Sequence, residues 1–144
     1  MEPSTEPGEE QLRGIYATTR TIAVVGASAD EAKPAHRIPR YLQSQTYRIL
    51  PVNPKEDEIL GEGVYRSLRE IEIPVDVVDV FRPPEEAEQV ARDAVATGAH
   101  VLWFQPGTHG DEAVRLAADA GLVVVTGRCM GETHGELGLG PGPD

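Results

Sequence analysis

Five short apolar runs, each separated from the next by a stretch of mixed polarity, restrict this chain more than any other feature. They are residues 21–26 (TIAVVG), 47–52 (YRILPV), 75–81 (VDVVDVF), 100–104 (HVLWF) and 122–126 (LVVVT). Several are almost unbroken and rich in valine, the composition of strands covered on both faces in a parallel sheet. Helical spacing alternates with them. Leu12, Ile15 and Tyr16 precede the first run, and Ile38, Tyr41 and Leu42 follow it. Ala87, Val90, Ala91, Ala94, Val95 and Gly98 follow the third, and Ala113, Val114, Ala117 and Ala118 the fourth. Pro83-Pro84 suits the start of the longer helix, and Glu85, Glu86 and Glu88 fill its first turns, where the helix dipole favours acids. Ser67 and Glu70 have capping-box spacing and predict a short helical turn.

The alternation predicts an α/β protein: a Rossmann-like three-layer α/β/α domain around a five-stranded parallel sheet, in strand order 3-2-1-4-5. In that order the chain reverses between strands 1 and 4, and ligands are expected at the carboxyl ends of the strands there. A chain of 144 residues suits one domain, large enough to bury roughly 70% of its unfolded surface. Residues 1–130 are expected to form that domain, with an N-terminal helix, and residues 131–144 a flexible Gly/Pro-rich tail.

Other function classes recede on composition. The net charge of −11 speaks against a nucleic-acid partner, because phosphate backbones require a basic face. No apolar run approaches the ~20 residues of a membrane span. The acidic start lacks the features of a signal peptide, and the single Cys129 forms no intrachain disulfide, so a cytoplasmic protein is expected. Arginine outnumbers lysine and Asn53 is the only asparagine, a bias that points towards a thermophile.

The first run ends in Gly26, Ala27 and Ser28, small residues that let backbone amides approach a pyrophosphate, although the full G-x-G-x-x-G pattern is absent. Lys33, His36, Arg37 and Arg40 cluster just beyond. In so acidic a chain this reads as phosphate neutralisation; the plainer reading is a solvated helix face pairing with Asp30 and Glu31. The second run ends in Asn53-Pro54-Lys55, where a site for NAD would place an acid on the ribose. A neutral Asn and a Lys there tolerate a ribose phosphate, as in coenzyme A or NADP; otherwise they make an ordinary turn. Phe81 and Arg82 end the third run, suited to a base and a phosphate, or equally to the core and a helix start. Trp103 and Gln105 end the fourth, suited to an amide-bearing channel, although one of the Trp103-Phe104 pair must point into a helix layer. Cys129 reads as a small buried hydrophobe before it reads as a nucleophile. No metal site is expected from Cys129, His134, His109 and His100, and no catalytic residue, since G-x-S-x-G is absent.

Residues 47–54 (YRILPVNP), continued by 58–61 (EILG) and 64–68 (VYRSL), resemble the stand-alone CoA-binding-domain proteins, similar in fold to the N-terminal domain of the succinyl-CoA synthetase α subunit. Residues 23–28 (AVVGAS), 75–82 (VDVVDVFR), 98–103 (GAHVLW) and Arg128-Cys129 support the resemblance, which runs from about residue 21 to 130. It implies coenzyme A as the cofactor, with Gly26, Ala27 and Ser28 facing the pyrophosphate. Lys33 and Arg37 would neutralise phosphate, and Asn53 and Pro54 would border the adenosine. Phe81, Arg82, Trp103 and Gln105 would line the rest. Relatives often carry an acid before the Arg-Cys pair; here it is Gly127, and that acid's role is not carried over. The complete ligases of this kind are larger assemblies, with a phosphorylated histidine in another domain and an ATP-grasp subunit. The expectation is therefore a small cofactor-binding, sensing or carrier protein without catalysis of its own, serving an unidentified protein partner. The alternative is an NADP-dependent oxidoreductase or a redox-sensing nucleotide-binding protein.

Overall fold

The computed structural model describes residues 6–143; the acidic start at residues 1–5 and Asp144 lie outside the described residues. Helix α1 (Glu9–Thr18) leads into β1 (Thr21–Val25), α2 (Pro34–Ser44) and β2 (Arg48–Val52). A short hairpin of β3 (Glu58–Ile59) and β4 (Glu62–Gly63) follows, then a 3₁₀ turn (Leu68–Glu70) and β5 (Val77–Val80). The chain continues through α3 (Ala87–Thr97), β6 (Val101–Phe104), α4 (Asp111–Asp119), β7 (Val123–Val125) and α5 (Met130–Glu136).

The five long strands form one parallel sheet, and the fold is Rossmann-like α/β as expected. Alternation along each strand sorts the core into two layers. Ala23, Leu50, Val78, Val80, Leu102, Phe104 and Val124 pack against α3 and α4. Ile22, Val24, Ile49, Val77, Trp103 and Val125 pack with residues of α1, α2 and α5. Trp103 and Phe104 are therefore both core, in opposite layers.

The order of the strands is β2-β1-β5-β6-β7. The third long strand, β5, lies against β1 rather than outside β2, in place of the expected 3-2-1-4-5. One sequence feature and one structural observation carry the physical reason. Proline cannot donate to a sheet ladder and is confined to edges, and Pro51 sits in β2, which is an edge strand. All four residues of β5 are buried, as befits a strand with neighbours on both sides. The reversal of winding falls between β1 and β5, and a ligand crevice is expected there.

The segment expected to be a flexible tail is a packed helix and strap. His134 is fully buried among Tyr16, Tyr41 and Tyr47. Its Nε2–H donates to the Gly140 carbonyl at 3.0 Å, so Nδ1 accepts the Tyr41 hydroxyl at 2.7 Å. Gly142 N–H donates to Gln45 O at 2.7 Å and closes the strap onto α2. The Gly/Pro composition conceals this, because what anchors the segment is the burial of Met130 and His134.

Candidate functional site

The turn after β1 is built by hydrogen bonds that its sequence only partly announces. Gly26 has φ +87°, and a Cβ there would lie 2.7 Å from Arg82 Cδ. A glycine is needed both for the left-handed backbone and for the close passage of the Arg82 stem. Gly26 N–H donates to Val52 O at 3.0 Å and Ser28 N–H to Ala35 O at 3.2 Å. The second bond depends on Pro39. A proline inside α2 has no N–H to offer the carbonyl four residues earlier, which leaves the Ala35 oxygen to hold the turn. The His36 Nδ1–H donates to Ser28 O at 2.8 Å. Asn53 Nδ2 donates to Ala27 O at 2.8 Å, while its Oδ1 accepts the amides of Lys55 and Glu56 at 2.7 and 3.0 Å. Asn53 thus ties the tip of β2 to the small-residue turn.

Above this turn lies an open cleft of about 670 Å³ at the carboxyl ends of β1, β2 and β5, where the winding reverses. Gly26, Ala27, Ser28 and Lys33 line it from the β1 side, Asn53 and Pro54 from the β2 tip, and Phe81 and Arg82 from the β5 tip. Eight of the eleven residues singled out in the sequence meet in this cleft. The other three do not line it. Arg37 turns its guanidinium to the Ala32 carbonyl at 2.8 Å. Trp103 is fully buried and its indole N–H donates to Arg128 O at 2.8 Å. Gln105 is buried, its Oε1 accepting Met130 N–H at 3.0 Å. For all three the cause is tertiary. Trp103 fills the layer under α1 and α5, Gln105 clamps the turn before α5, and Arg37 is engaged by the Ala32 carbonyl.

Two further cations line the cleft, Lys55 and Arg66. Arg66 donates to the carbonyls of Asn53 and Glu56 and pairs with Asp57 at 2.5 Å. Its position follows from the strand-like bridge of Tyr65 to Val52 along the β2 edge, a pairing the hydrophobic pattern does not reveal. The next segment forms the short helical turn its spacing predicts, with both bonds shifted one residue towards the N-terminus from those of a capping box: Ser67 Oγ accepts Arg69 N–H and Glu70 Oε1 accepts Arg66 N–H. Opposite, Arg82 makes a two-pronged bond with Glu86 at 2.7 and 3.1 Å. The hydrogen bond with Glu86 raises the Arg82 pKa, and Arg82 in turn lowers that of Glu86. Lys33 and Lys55 make no ion pair among the described residues.

One chemically conspicuous residue was not anticipated. Asp79, in the middle of β5, is fully buried, and neither carboxyl oxygen has a hydrogen-bond partner. Burial pushes its pKa well above the usual carboxylate value, against a smaller lowering by the Val80 backbone. The signal was a second acid, three residues after Asp76, inside the valine-rich run 75–81. Among the described residues no group of three or more His, Cys, Asp or Glu is placed to hold a metal ion, and no helix is long and apolar enough to cross a membrane.

A cleft lined by small residues, by Lys33, Lys55, Arg66 and Arg82 and by the acids Glu86 and Asp93, at the winding reversal of a parallel sheet, defines a Rossmann-like domain with an open crevice at the carboxyl edge of its strands. Comparison with known proteins narrows this. The sequence matches the CoA binding domain over residues 20–135. It is 35% identical to the Bacillus subtilis (strain 168) protein YneT over 128 residues, 89% of this chain and 95% of that one. A solved structure from Pyrococcus horikoshii OT3 superposes with a TM-score of 0.90 at 36% identity, covering 95% of this chain and 96% of that one. The α subunit of an ADP-forming acetate–CoA ligase of Pyrococcus furiosus is 28% identical over 85% of this chain, which spans 30% of that subunit. The chain belongs to the CoA-binding domain family.

Proposed function

We propose that this protein binds coenzyme A or an acyl-CoA in the cleft between β1, β2 and β5, as a small binding, sensing or carrier protein without catalysis of its own. The observation that carries the reading is charge placed against the trend. In a chain of net charge −11, Lys33, Lys55, Arg66 and Arg82 converge on one crevice around a turn of small residues. Coenzyme A offers a pyrophosphate and a ribose phosphate to such a group. The family to which the chain belongs supports the same ligand. Gly26, Ala27 and Ser28 are assigned to the pyrophosphate, Lys33 and Arg82 to phosphate charge, Asn53 and Pro54 to the adenosine side, and Phe81 to stacking. Arg37, Trp103 and Gln105 drop out of the direct contacts.

Coenzyme A at a hundredfold excess over its dissociation constant is expected to stabilise the fold by about 2.7 kcal/mol, read as a rise in melting temperature, and NADH to leave it unchanged. Lys33→Ala is expected to weaken binding ten- to hundredfold, the worth of one charge-assisted contact of about 1.5–3 kcal/mol. Arg37→Ala should change it less than twofold. A melting shift with NADPH and none with coenzyme A would overturn the assignment in favour of the NADP reading.

Glu86 makes a second test. An exposed ion pair contributes about 0.2–1 kcal/mol, less than a two-pronged arginine–phosphate contact, so a phosphate displaces Glu86 from Arg82. Glu86→Gln removes both the competitor and a like charge facing the ligand. Binding of coenzyme A is expected to tighten several-fold, most visibly at low salt. Unchanged or weaker binding by titration calorimetry would show that Arg82 does not meet a phosphate.

A further inference from the structure

The two long walls of the cleft differ in charge. Both acids of the lining, Glu86 and Asp93, belong to α3 and its N-cap. The β2 side contributes Asn53, Pro54, Lys55, Arg66 and Ser67 to the lining, two cations and no acid. In a chain of net charge −11, the β2 wall is where an anionic group meets least repulsion.

This wall is built as one unit. Asn53 Oδ1 accepts the Lys55 amide at 2.7 Å and fixes the lysine's place in the turn. Tyr65 N–H donates to Pro51 O and Asn53 N–H to Tyr65 O, both at 2.9 Å. Tyr65 is thereby held along the edge of β2, and Arg66 comes to stand beside Asn53. Arg66 Nη1 donates to the carbonyls of Asn53 and Glu56, and Nη2 pairs with Asp57. The Asp57 side chain is 91% exposed, so solvent screens that pair, and it yields to a phosphate. Of the five guanidinium donors, Nε–H and one Nη2–H have no partner among the described residues, nor has the Lys55 ammonium.

A crevice of this kind places the ribose of an adenosine at the tip of β2. An acid there holds free hydroxyls, and a nearby arginine accommodates a ribose phosphate. Here the acid is replaced by Asn53, whose Oδ1 is spent on two turn amides, and two cations flank it.

We propose that Lys55 and Arg66 form a ribose-phosphate site, so that the cleft selects nucleotides with a phosphate monoester on the ribose over the same nucleotides without it. The inference rests on the coenzyme A reading and divides the cations between two groups of that ligand. Lys33 and Arg82 meet the pyrophosphate beside the small-residue turn, and Lys55 and Arg66 meet the 3′-phosphate on the opposite wall from Glu86 and Asp93. The selected class is coenzyme A and its thioesters. Dephospho-coenzyme A, which keeps the pyrophosphate and the pantetheine arm, is the discriminating ligand.

The test titrates the full chain with coenzyme A and with dephospho-coenzyme A by calorimetry, in the parent and in Lys55→Ala, Arg66→Gln and Lys33→Ala. The parent is expected to prefer coenzyme A by about tenfold to a hundredfold, the worth of charge-assisted contacts to one phosphate. Lys55→Ala and Arg66→Gln are each expected to weaken coenzyme A by about tenfold and to leave dephospho-coenzyme A nearly unchanged. Lys33→Ala is expected to weaken both ligands by the same factor. Lys55→Ala breaks no side-chain bond among the described residues, so its result does not depend on a refolded turn. Tight and equal binding of the two ligands by the parent overturns the ribose-phosphate site and leaves the coenzyme A reading standing. Equal weakening of both ligands by Lys55→Ala also overturns it, because the lysine then serves the pyrophosphate. Binding of neither ligand removes the coenzyme A reading and this inference with it.

Discussion

The stability difference between Asp79→Asn and the parent protein is expected to grow in favour of the variant by up to about 1.4 kcal/mol per pH unit as pH rises above 4. The sign follows from proton binding. Asp79 has a folded-state pKa well above its ordinary 3.8, because burial penalises the charged carboxylate. Between those two values the folded chain holds a proton that the unfolded chain has released. Raising the pH then favours unfolding, so the parent loses stability from this group as pH climbs from the ordinary value to the folded-state value, and no further beyond it. Asparagine has nearly the same shape and does not ionise, so the variant lacks this slope. Its amide is as poorly partnered as the carboxyl, and at pH 4 the variant is expected to be no more stable than the parent. Urea unfolding of both proteins at pH 4, 5, 6 and 7 reads the effect as a difference, which cancels the opposing contribution of exposed acids such as Glu86. A difference that does not change with pH would mean that Asp79 is solvated or paired in solution.

Trp103→Ala is expected to cost about 3–5 kcal/mol, the usual loss when a buried tryptophan or phenylalanine is truncated. Trp103 is among the largest fully buried side chains, and it packs against Tyr16 at a ring separation of 5.8 Å. Its removal leaves a cavity between the sheet and α1, and it also orphans the Arg128 carbonyl that accepts its indole N–H at 2.8 Å. For a domain with a total stability of about 5–15 kcal/mol this is a large fraction, and a fall in melting temperature on the order of 10–20 °C follows. Trp103→Phe keeps most of the apolar area but loses the hydrogen bond, and it should lie between the two. A loss below 1 kcal/mol for Trp103→Ala would show that α1 collapses onto the sheet without it. The same variant separates packing from ligand contact. If Trp103 only packs, coenzyme A affinity measured well below the melting temperature should change little.

Much of this protein can be read from its residues in order. Valine-rich runs predict buried parallel strands because only strands covered on both faces tolerate such continuity, and helix-period spacing predicts α1 to α4. Small residues after β1 and cations beyond them predict where an anion is met, because backbone access and local charge are properties of short segments. Eight of the residues so identified share one cleft. What tertiary structure alone decided is adjacency. Whether β5 lies beside β1 or outside β2 depends on how the crossovers pack, and Pro51 fits the edge place that β2 takes. That Arg66 enters the cleft follows from an edge pairing with Val52 that has no periodic signature. Arg37, Trp103 and Gln105 stand near the site in sequence and away from the cleft in space, because a side chain's direction is set by the layer it packs into. The fate of residues 131–143 was hidden for the same reason. Glycine and proline describe what a segment permits, whereas the burial of His134 against three tyrosines, from α1, from α2 and from the residue before β2, is a long-range energy that no local composition contains.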